Sequence, residues 1–313
     1  MNFLLVTGAT GFLGSLLVEK LLQDEHRVVG IGRRKKGFLS DDVLNNKNFI
    51  FVQADINGQL KHYLSKYKID GIFHLASCQP SSKVLNYDDF YKGNVATTRQ
   101  IIEFIKNRRI KFLVYTSTTS VNAKSTKKYL DENSFSYPTT YYSLTKYIAE
   151  KLLEIELASL GIKVIIIKYP SIFGKNHVNG LIYTYYKILK SGKDLKIFNN
   201  GNIYRSFIYE KDAVQILINA ASNMDRLKKF DLFFAGSKDS IKLIKLAEIL
   251  KRLLGSESRL LVSSKKTSIK ENILIDITKA QKILHFDPMT VERGLKKYIA
   301  EVESGKQRAL ELL

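Results

Sequence analysis

Phe3-Leu4-Leu5-Val6-Thr7-Gly8-Ala9-Thr10-Gly11-Phe12-Leu13-Gly14 is the stretch that decides the fold. A short apolar run meets a glycine turn, and the segment that follows, Phe12 to Gln23, carries apolar residues at three- and four-residue spacing. The order strand, turn, helix gives each glycine a task. Gly8 permits a tight turn, Gly11 lets a backbone approach a pyrophosphate, and Gly14 lets the helix pack closely on the strand. The first amides of the helix, those of Phe12 and Leu13 included, are left unpaired and offer an anion site.

Further along, Arg27 to Ile31, Phe49 to Val52, Gly71 to Leu75, Phe112 to Tyr115 and Val164 to Ile167 repeat the pattern of the first strand. Near-continuous apolar strands separated by helical segments, such as Asp88 to Lys106 and Thr140 to Leu160, are what a parallel sheet covered on both faces requires. The expectation is an α/β protein with a doubly wound parallel sheet. After about Gly174 the rhythm breaks into short strands, isolated helices and loops rich in Asn, Gly, Ser and Lys. A dinucleotide-binding domain over residues 1–173 is therefore expected, with part of 205–236 returning to it. Residues 174–313 would form mainly a smaller, substrate-binding lobe, and Thr290 onward reads as an amphipathic helix.

The end of the second strand selects the cofactor in such folds, because a carboxylate there holds a free ribose hydroxyl and a cation accepts a phosphate. Gly32 is followed by Arg33-Arg34-Lys35-Lys36, with no carboxylate. That favours NADP over NAD, without excluding NAD. Tyr142 and Lys146 lie four apart in a helical pattern and so share one face. Lowering a phenol by about three pKa units needs roughly 4 kcal/mol, which an ammonium one turn away and a neighbouring oxidised nicotinamide could supply. The strand before that helix ends in Tyr115-Thr116-Ser117-Thr118-Thr119-Ser120, a row of hydroxyls at the carboxyl edge where doubly wound sheets bind ligands.

Composition narrows the rest. The 313 residues are 45% apolar and 26% charged, so the chain has the material for a sizeable core. No apolar run approaches the roughly 20 residues of a membrane span. The N-terminus lacks a signal-peptide pattern, and with Cys78 as the single cysteine a cytoplasmic location is expected. One cysteine also excludes a thiolate zinc site, and no metal is expected. The formal charge of +20 attracts polyanions, but the lysines are spread along the chain without a nucleic-acid-reading motif, so nucleic acid is not the expected partner.

Taken together the chain resembles the extended short-chain dehydrogenase/reductase family, in its nucleotide-sugar epimerase and ketoreductase branch. The resemblance runs through Thr7 to Gly14, Ala54-Asp55-Ile56, His74 to Ser77, Asn94-Val95, Ser117-Thr118, Tyr142 to Lys146, Tyr169 to Gly174, and Arg205 to Ile208 with Asp212. It implies a Rossmann domain in which Asp55 and Ile56 contact adenine, and Leu75, Ala76, Ser77 and Thr116 line the dinucleotide. Asn94 would hold the catalytic helix beside the cofactor. Lys146 would bind the nicotinamide ribose, Tyr142 would exchange a proton with a sugar oxygen, and Thr118 would hydrogen-bond that oxygen. Pro170 and Ile172 would border the nicotinamide, while Ser117, Asn179 and Arg205 would serve the nucleotide-sugar, Arg205 through its diphosphate. A homodimer built on the segments around 88–106 and 140–160 is implied as well.

Departures from the family pattern refine this. Dehydratases of the family carry Asp-Glu after the catalytic Thr, where this chain has Thr119-Ser120, so a 4,6-dehydratase is not expected. No cysteine stands near Ser120, although His177 lies in a nearby loop, and Lys168 replaces the usual arginine before the Tyr-Pro segment. The favoured reading is an NAD(P)-dependent reductase of a nucleotide-activated 4-keto-sugar. The alternative is a 4-epimerase with tightly held NAD. More distant readings are a dinucleotide-binding protein without catalysis and a basic polyanion binder.

Overall fold

The computed structural model describes residues 2–58, 60–81, 86–106, 108–265 and 272–304. Its centre is a seven-stranded sheet made of β1 (Phe3–Thr7), β2 (Val28–Gly32), β3 (Phe49–Gln53), β4 (Ile69–His74), β5 (Phe112–Thr118), β6 (Lys163–Tyr169) and β10 (Phe230–Phe234). The strand order is β10-β6-β5-β4-β1-β2-β3, and every pairing is parallel. The order reverses between β1 and β4, which opens a crevice at the carboxyl edge there.

Burial explains the sequence pattern. Val28 to Gly32 are all buried, because each strand has a helical layer on both sides. One apolar cluster lies on the face that holds Leu17, Val18, Ile216 and Leu217. The other holds Ile101, Ile102, Ala149 and Leu153. The helix Phe12–Gln23 begins where the glycine turn predicts it, and Tyr141–Leu157 fills most of the segment expected over 140–160. The segment expected as one helix over 88–106 is built differently. A short helical turn, Tyr87–Phe90, passes into a π-helical stretch, Tyr91–Ala96, before the α-helix Thr97–Lys106.

The remaining strands are β7 (Ser171–Phe173), β8 (Leu195–Ile197), β9 (Tyr204–Tyr209), β11 (Ser240–Lys242) and β12 (Leu260–Val262). They form a three-stranded sheet β11-β9-β7 and a two-stranded sheet β12-β8. A third core cluster, with Phe173, Tyr209, Leu246 and Leu295 among its members, holds these strands to the later helices. The amphipathic segment after Thr290 is the helix Val291–Glu303, capped by the Thr290 hydroxyl. No helix of the described residues is long and apolar enough to cross a membrane.

Candidate active site

The glycine turn is shaped by close contacts. Gly8 has φ of +69°, and a Cβ there would stand 2.9 Å from Ala76 N; a Cβ on Gly14 would stand 2.1 Å from Gly8 O. Gly11, as the N-cap of the first helix, provides no side-chain cap, and the first turn holds no acidic residue. The donor set is therefore backbone amide with nothing negative in it, which fits a pyrophosphate.

A buried polar thread runs from this turn to the helix Tyr141–Leu157. Thr7 Oγ1 accepts from the amides of Leu75 and Ala76, both at 3.1 Å, and stands 2.7 Å from His74 Nδ1. Having accepted twice, the hydroxyl spends its own hydrogen on Nδ1, so the imidazole carries its proton on Nε2 and donates to Thr98 Oγ1 at 3.1 Å. Thr98 donates to the carbonyl of Asn94 at 2.6 Å. Burial and the neighbouring Lys146 push His74 down to about 3, in keeping with a neutral ring.

Asn94 sits in the π-helical stretch, a distortion that often marks functional positions. Its Oδ1 accepts from Cys78 N at 2.8 Å and Ser77 Oγ at 2.9 Å, and its Nδ2 donates to Thr145 Oγ1 at 3.0 Å. Thr145 lies between Tyr142 and Lys146, so Asn94 ties the turn after β4 to the helix bearing the candidate pair.

At the carboxyl end of β5, Thr118 and Gln79 both act to lower the Tyr142 phenol, and Thr118 Oγ1 lies 3.0 Å from Ser120 Oγ. Lys146, almost wholly buried, places Nζ 4.1 Å from the ring centre of Tyr115. Burial pulls Lys146 down to about 7 against the attraction of Glu150, and burial pushes Tyr142 up to about 12 against the pull of Gln79 and Thr118. The protein alone thus leaves the phenol protonated, and the lowering expected from the ammonium is not achieved by these side chains on their own.

Ser117 departs from expectation. The alternation of the strand turns it away from the crevice into the core, where it donates to Glu150, so it is not available to a substrate. Glu150 is paired with Lys168 at 3.2 Å, both nearly inaccessible, and Lys168 reaches Asn122 Oδ1 at 3.0 Å. Asn122 in turn donates to the carbonyls of Ser134 and Phe135. Lys168 therefore fixes the segment after β5 to the sheet.

The other expected residues fall around the crevice or beyond it. Leu75, Ala76 and Ser77 follow β4, with Thr116 half-buried on β5 and its hydroxyl 3.5 Å from the His74 carbonyl. Asp55 is exposed and accepts from Asn57 N, while Ile56 is buried. Arg33 and Arg34 are exposed just past β2. Pro170 is half-buried between β6 and β7, and Ile172 is half-buried within β7. Asn179 is an exposed N-cap, and half-buried Arg205 lies on β9 with Nη1 donating to the Tyr204 carbonyl. His177 is stacked on Phe12 at 5.1 Å, joining the later loop to the glycine turn. Burial and Asp89 raise the Cys78 thiol against the pull of Arg33, which leaves it unactivated as a nucleophile. Among the described residues no group of His, Cys, Asp and Glu could hold a metal.

Gln79 and Glu150 were not foreseen from the sequence. Gln79 had no periodic signal, since it lies in the loop after β4. Glu150 did have one: it stands four residues past Lys146 on the same face of a helix.

A doubly wound sheet, a phosphate-ready glycine turn and a Tyr–Lys pair at the strand-end crevice define the class. The chain belongs to the NAD dependent epimerase/dehydratase family, whose model matches residues 4–236. A nicotinamide dinucleotide, the cofactor expected from the glycine turn, is the one that family uses. The chain is 28% identical over 318 residues to an uncharacterized UDP-glucose epimerase of Bacillus subtilis, covering 96% of this chain and 98% of that one. It is 27% identical to a UDP-glucuronate 4-epimerase of Thermodesulfobacterium geofontis, over 96% and 95% of the two chains. In fold it matches the UDP-glucuronic acid 4-epimerase of Bacillus cereus, with a TM-score of 0.84, 23% identity, and 96% and 99% of the chains covered.

Proposed function

We propose that this protein is a 4-epimerase of a nucleotide-activated sugar that uses tightly held NAD. The carrying observation is the phenol of Tyr142 set against Thr118 at the end of β5, with Lys146 one turn further along the same helix. Bound NAD supplies the hydride acceptor, and later the donor, for carbon 4. The chain's own residues handle the proton. Tyr142 takes it from the sugar hydroxyl and returns it, Thr118 holds the sugar oxygen, and Lys146 turns to the cofactor ribose. The Phe12 and Leu13 amides hold the pyrophosphate, and Arg205 and Asn179 border the nucleotide-sugar. Ser120, a hydroxyl beside Thr118, offers no acid for expelling water, which separates this site from a dehydratase.

The epimerase relatives of similar length support this reading over the reductase. Arg33 and Arg34 past β2 favour the second reading, a reductase drawing on free NADPH. Purified protein should carry NAD through gel filtration and interconvert 4-epimers without added nucleotide. Stoichiometric consumption of NADPH would establish the reductase instead. Tyr142→Phe should keep NAD and lose turnover by at least 10²-fold; an active variant refutes the proton role. A thermal-shift panel of UDP-, dTDP-, GDP- and CDP-sugars identifies the substrate.

The proposal extends to a homodimer, supported by Tyr141, Leu144 and Ile155, which the helix Tyr141–Leu157 leaves exposed, Ile155 by 72%. A cytoplasmic setting agrees with the free thiol of Cys78.

A further inference from the structure

The hydroxyl row at the end of β5 divides by burial. Ser117 and Thr119 are buried, whereas Thr118 and Ser120 are half-buried and meet each other. Thr118 closes the strand and is the N-cap of the short turn Thr119–Asn122, with an extended backbone of φ −139° and ψ 145°. In that place its Oγ1 accepts from the Ser120 amide at 3.2 Å, and Ser120 Oγ stands 3.0 Å from the same oxygen.

A hydroxyl has one hydrogen and two lone pairs. The Ser120 amide already takes one lone pair of Thr118. If Thr118 gives its hydrogen to Ser120, it can serve a ligand only as an acceptor. If Ser120 gives its hydrogen to Thr118, both lone pairs are filled and the Thr118 hydrogen is left for the ligand. We propose that Ser120 is a positioning residue that fixes Thr118 as a donor: Ser120 donates to Thr118 Oγ1, so that Thr118 donates to the carbon-4 oxygen of the sugar. The assignment rests on the epimerase reading above and gives its hydrogen bonds a direction.

The chemistry needs that direction before and after the proton moves. The sugar hydroxyl has one hydrogen and gives it to Tyr142, so in its bond with Thr118 it is the acceptor. When it reacts, the proton forms an O–H bond on Tyr142, the hydride passes from carbon 4 to bound NAD, and the O–H electron pair closes the carbon–oxygen double bond. A keto oxygen carries no hydrogen and only accepts, so a Thr118 turned toward Ser120 would face it with a lone pair. Ser120 and Thr118 keep their own hydrogens throughout, and Ser120 acts on the sugar only through its neighbour. A donor that is itself polarised by a donor behind it is also the stronger one where negative charge develops on the sugar oxygen.

The test is single-turnover reduction of protein-bound NAD, followed by nicotinamide fluorescence. NAD-loaded protein is mixed in turn with the glucose, N-acetylglucosamine and glucuronic acid forms of the UDP-, dTDP-, GDP- and CDP-sugars. Ser120→Ala should slow the reduction about 5- to 10-fold, the effect of one well-placed donor, with NAD retention and the half-saturating sugar concentration unchanged. Ser120→Thr, which keeps the hydroxyl, should recover most of that rate. In a Thr118→Val background the intermediary is gone, and adding Ser120→Ala should slow reduction by less than about 2-fold further. A Ser120→Ala protein within about 2-fold of the unaltered one, or an equal loss in both backgrounds, overturns the role of Ser120. That outcome with an inactive Tyr142→Phe leaves the epimerase reading standing. Reduction by none of the sugars, or an active Tyr142→Phe, removes the reading itself and this inference with it.

Discussion

Replacing Lys168 by methionine probes the most deeply buried charge pair of the site. Lys168 and Glu150 approach to 3.2 Å with 2% and 4% of their side chains accessible. At an effective dielectric near 20, that separation corresponds to an attraction of about 5 kcal/mol. Methionine fills much of the same volume but leaves a carboxylate in the core with Ser117 as its hydrogen-bond donor and Lys146 as its other basic neighbour. The expected loss is about 3–5 kcal/mol, a large share of the roughly 5–15 kcal/mol that hold a typical protein folded. At about 2–4 °C per kcal/mol, the melting temperature should fall by about 6–20 °C.

Burial already raises the Glu150 carboxyl, against Lys168 and Ser117, and losing Lys168 raises it further. A folded pKa above the unfolded value of about 4.3 means that the folded state takes the proton first. Stability in the variant is then greatest at low pH and is lost as pH climbs through the folded pKa. Urea unfolding followed by circular dichroism should show a smaller deficit at pH 5.5 than at pH 8. Adding Glu150→Gln should restore most of the loss, because the remaining groups are neutral. A single variant within about 1 kcal/mol of the unaltered protein at pH 8, or a double variant no better than the single, refutes the reasoning.

His74, depressed to about 3 from an ordinary value near 6.5, contributes stability that is fully present above pH 6.5 and is lost as pH falls toward 3. Between pH 6.5 and 4 this amounts to about 3 kcal/mol, and urea midpoints for His74→Gln should show a correspondingly flatter acid limb. Gly14→Ala should abolish NAD retention and lower the melting temperature, because its Cβ would stand 2.1 Å from Gly8 O. Gly236→Ala, whose nearest neighbour would lie at 3.6 Å, is the control, expected to bind NAD normally.

Much of this site is legible in the sequence because its parts obey simple periods. Tyr142 and Lys146 are one helical turn apart, Thr118 ends a strand, and the six early strands are apolar on both faces. Strand β10 is less plain, since Asp231 interrupts Phe230 to Phe234; the structure buries that carboxylate against Lys279. Ser117 could have been assigned to the core from strand alternation, because Tyr115, two residues earlier, is also buried. The π-helical stretch around Asn94 carries no such signal. Asn94 there meets Ser77 and Cys78 from one segment and Thr145 from another. Gln79 is similar: its amide donates to Ser77, which is itself held by Asn94 from another segment, and no local pattern records that.

The position of β10 also bears on how the chain is made. Emerging from a ribosome, the first 169 residues can pair six strands, but β6 then presents an open edge that includes Val164 to Ile167. Its neighbour is completed only at Phe234. At about 5–20 residues per second, that edge stays uncovered for about 3–13 s of synthesis. During that interval the nascent chain has an apolar border suited to pairing with another copy, and the cell's chaperones would have reason to shield it.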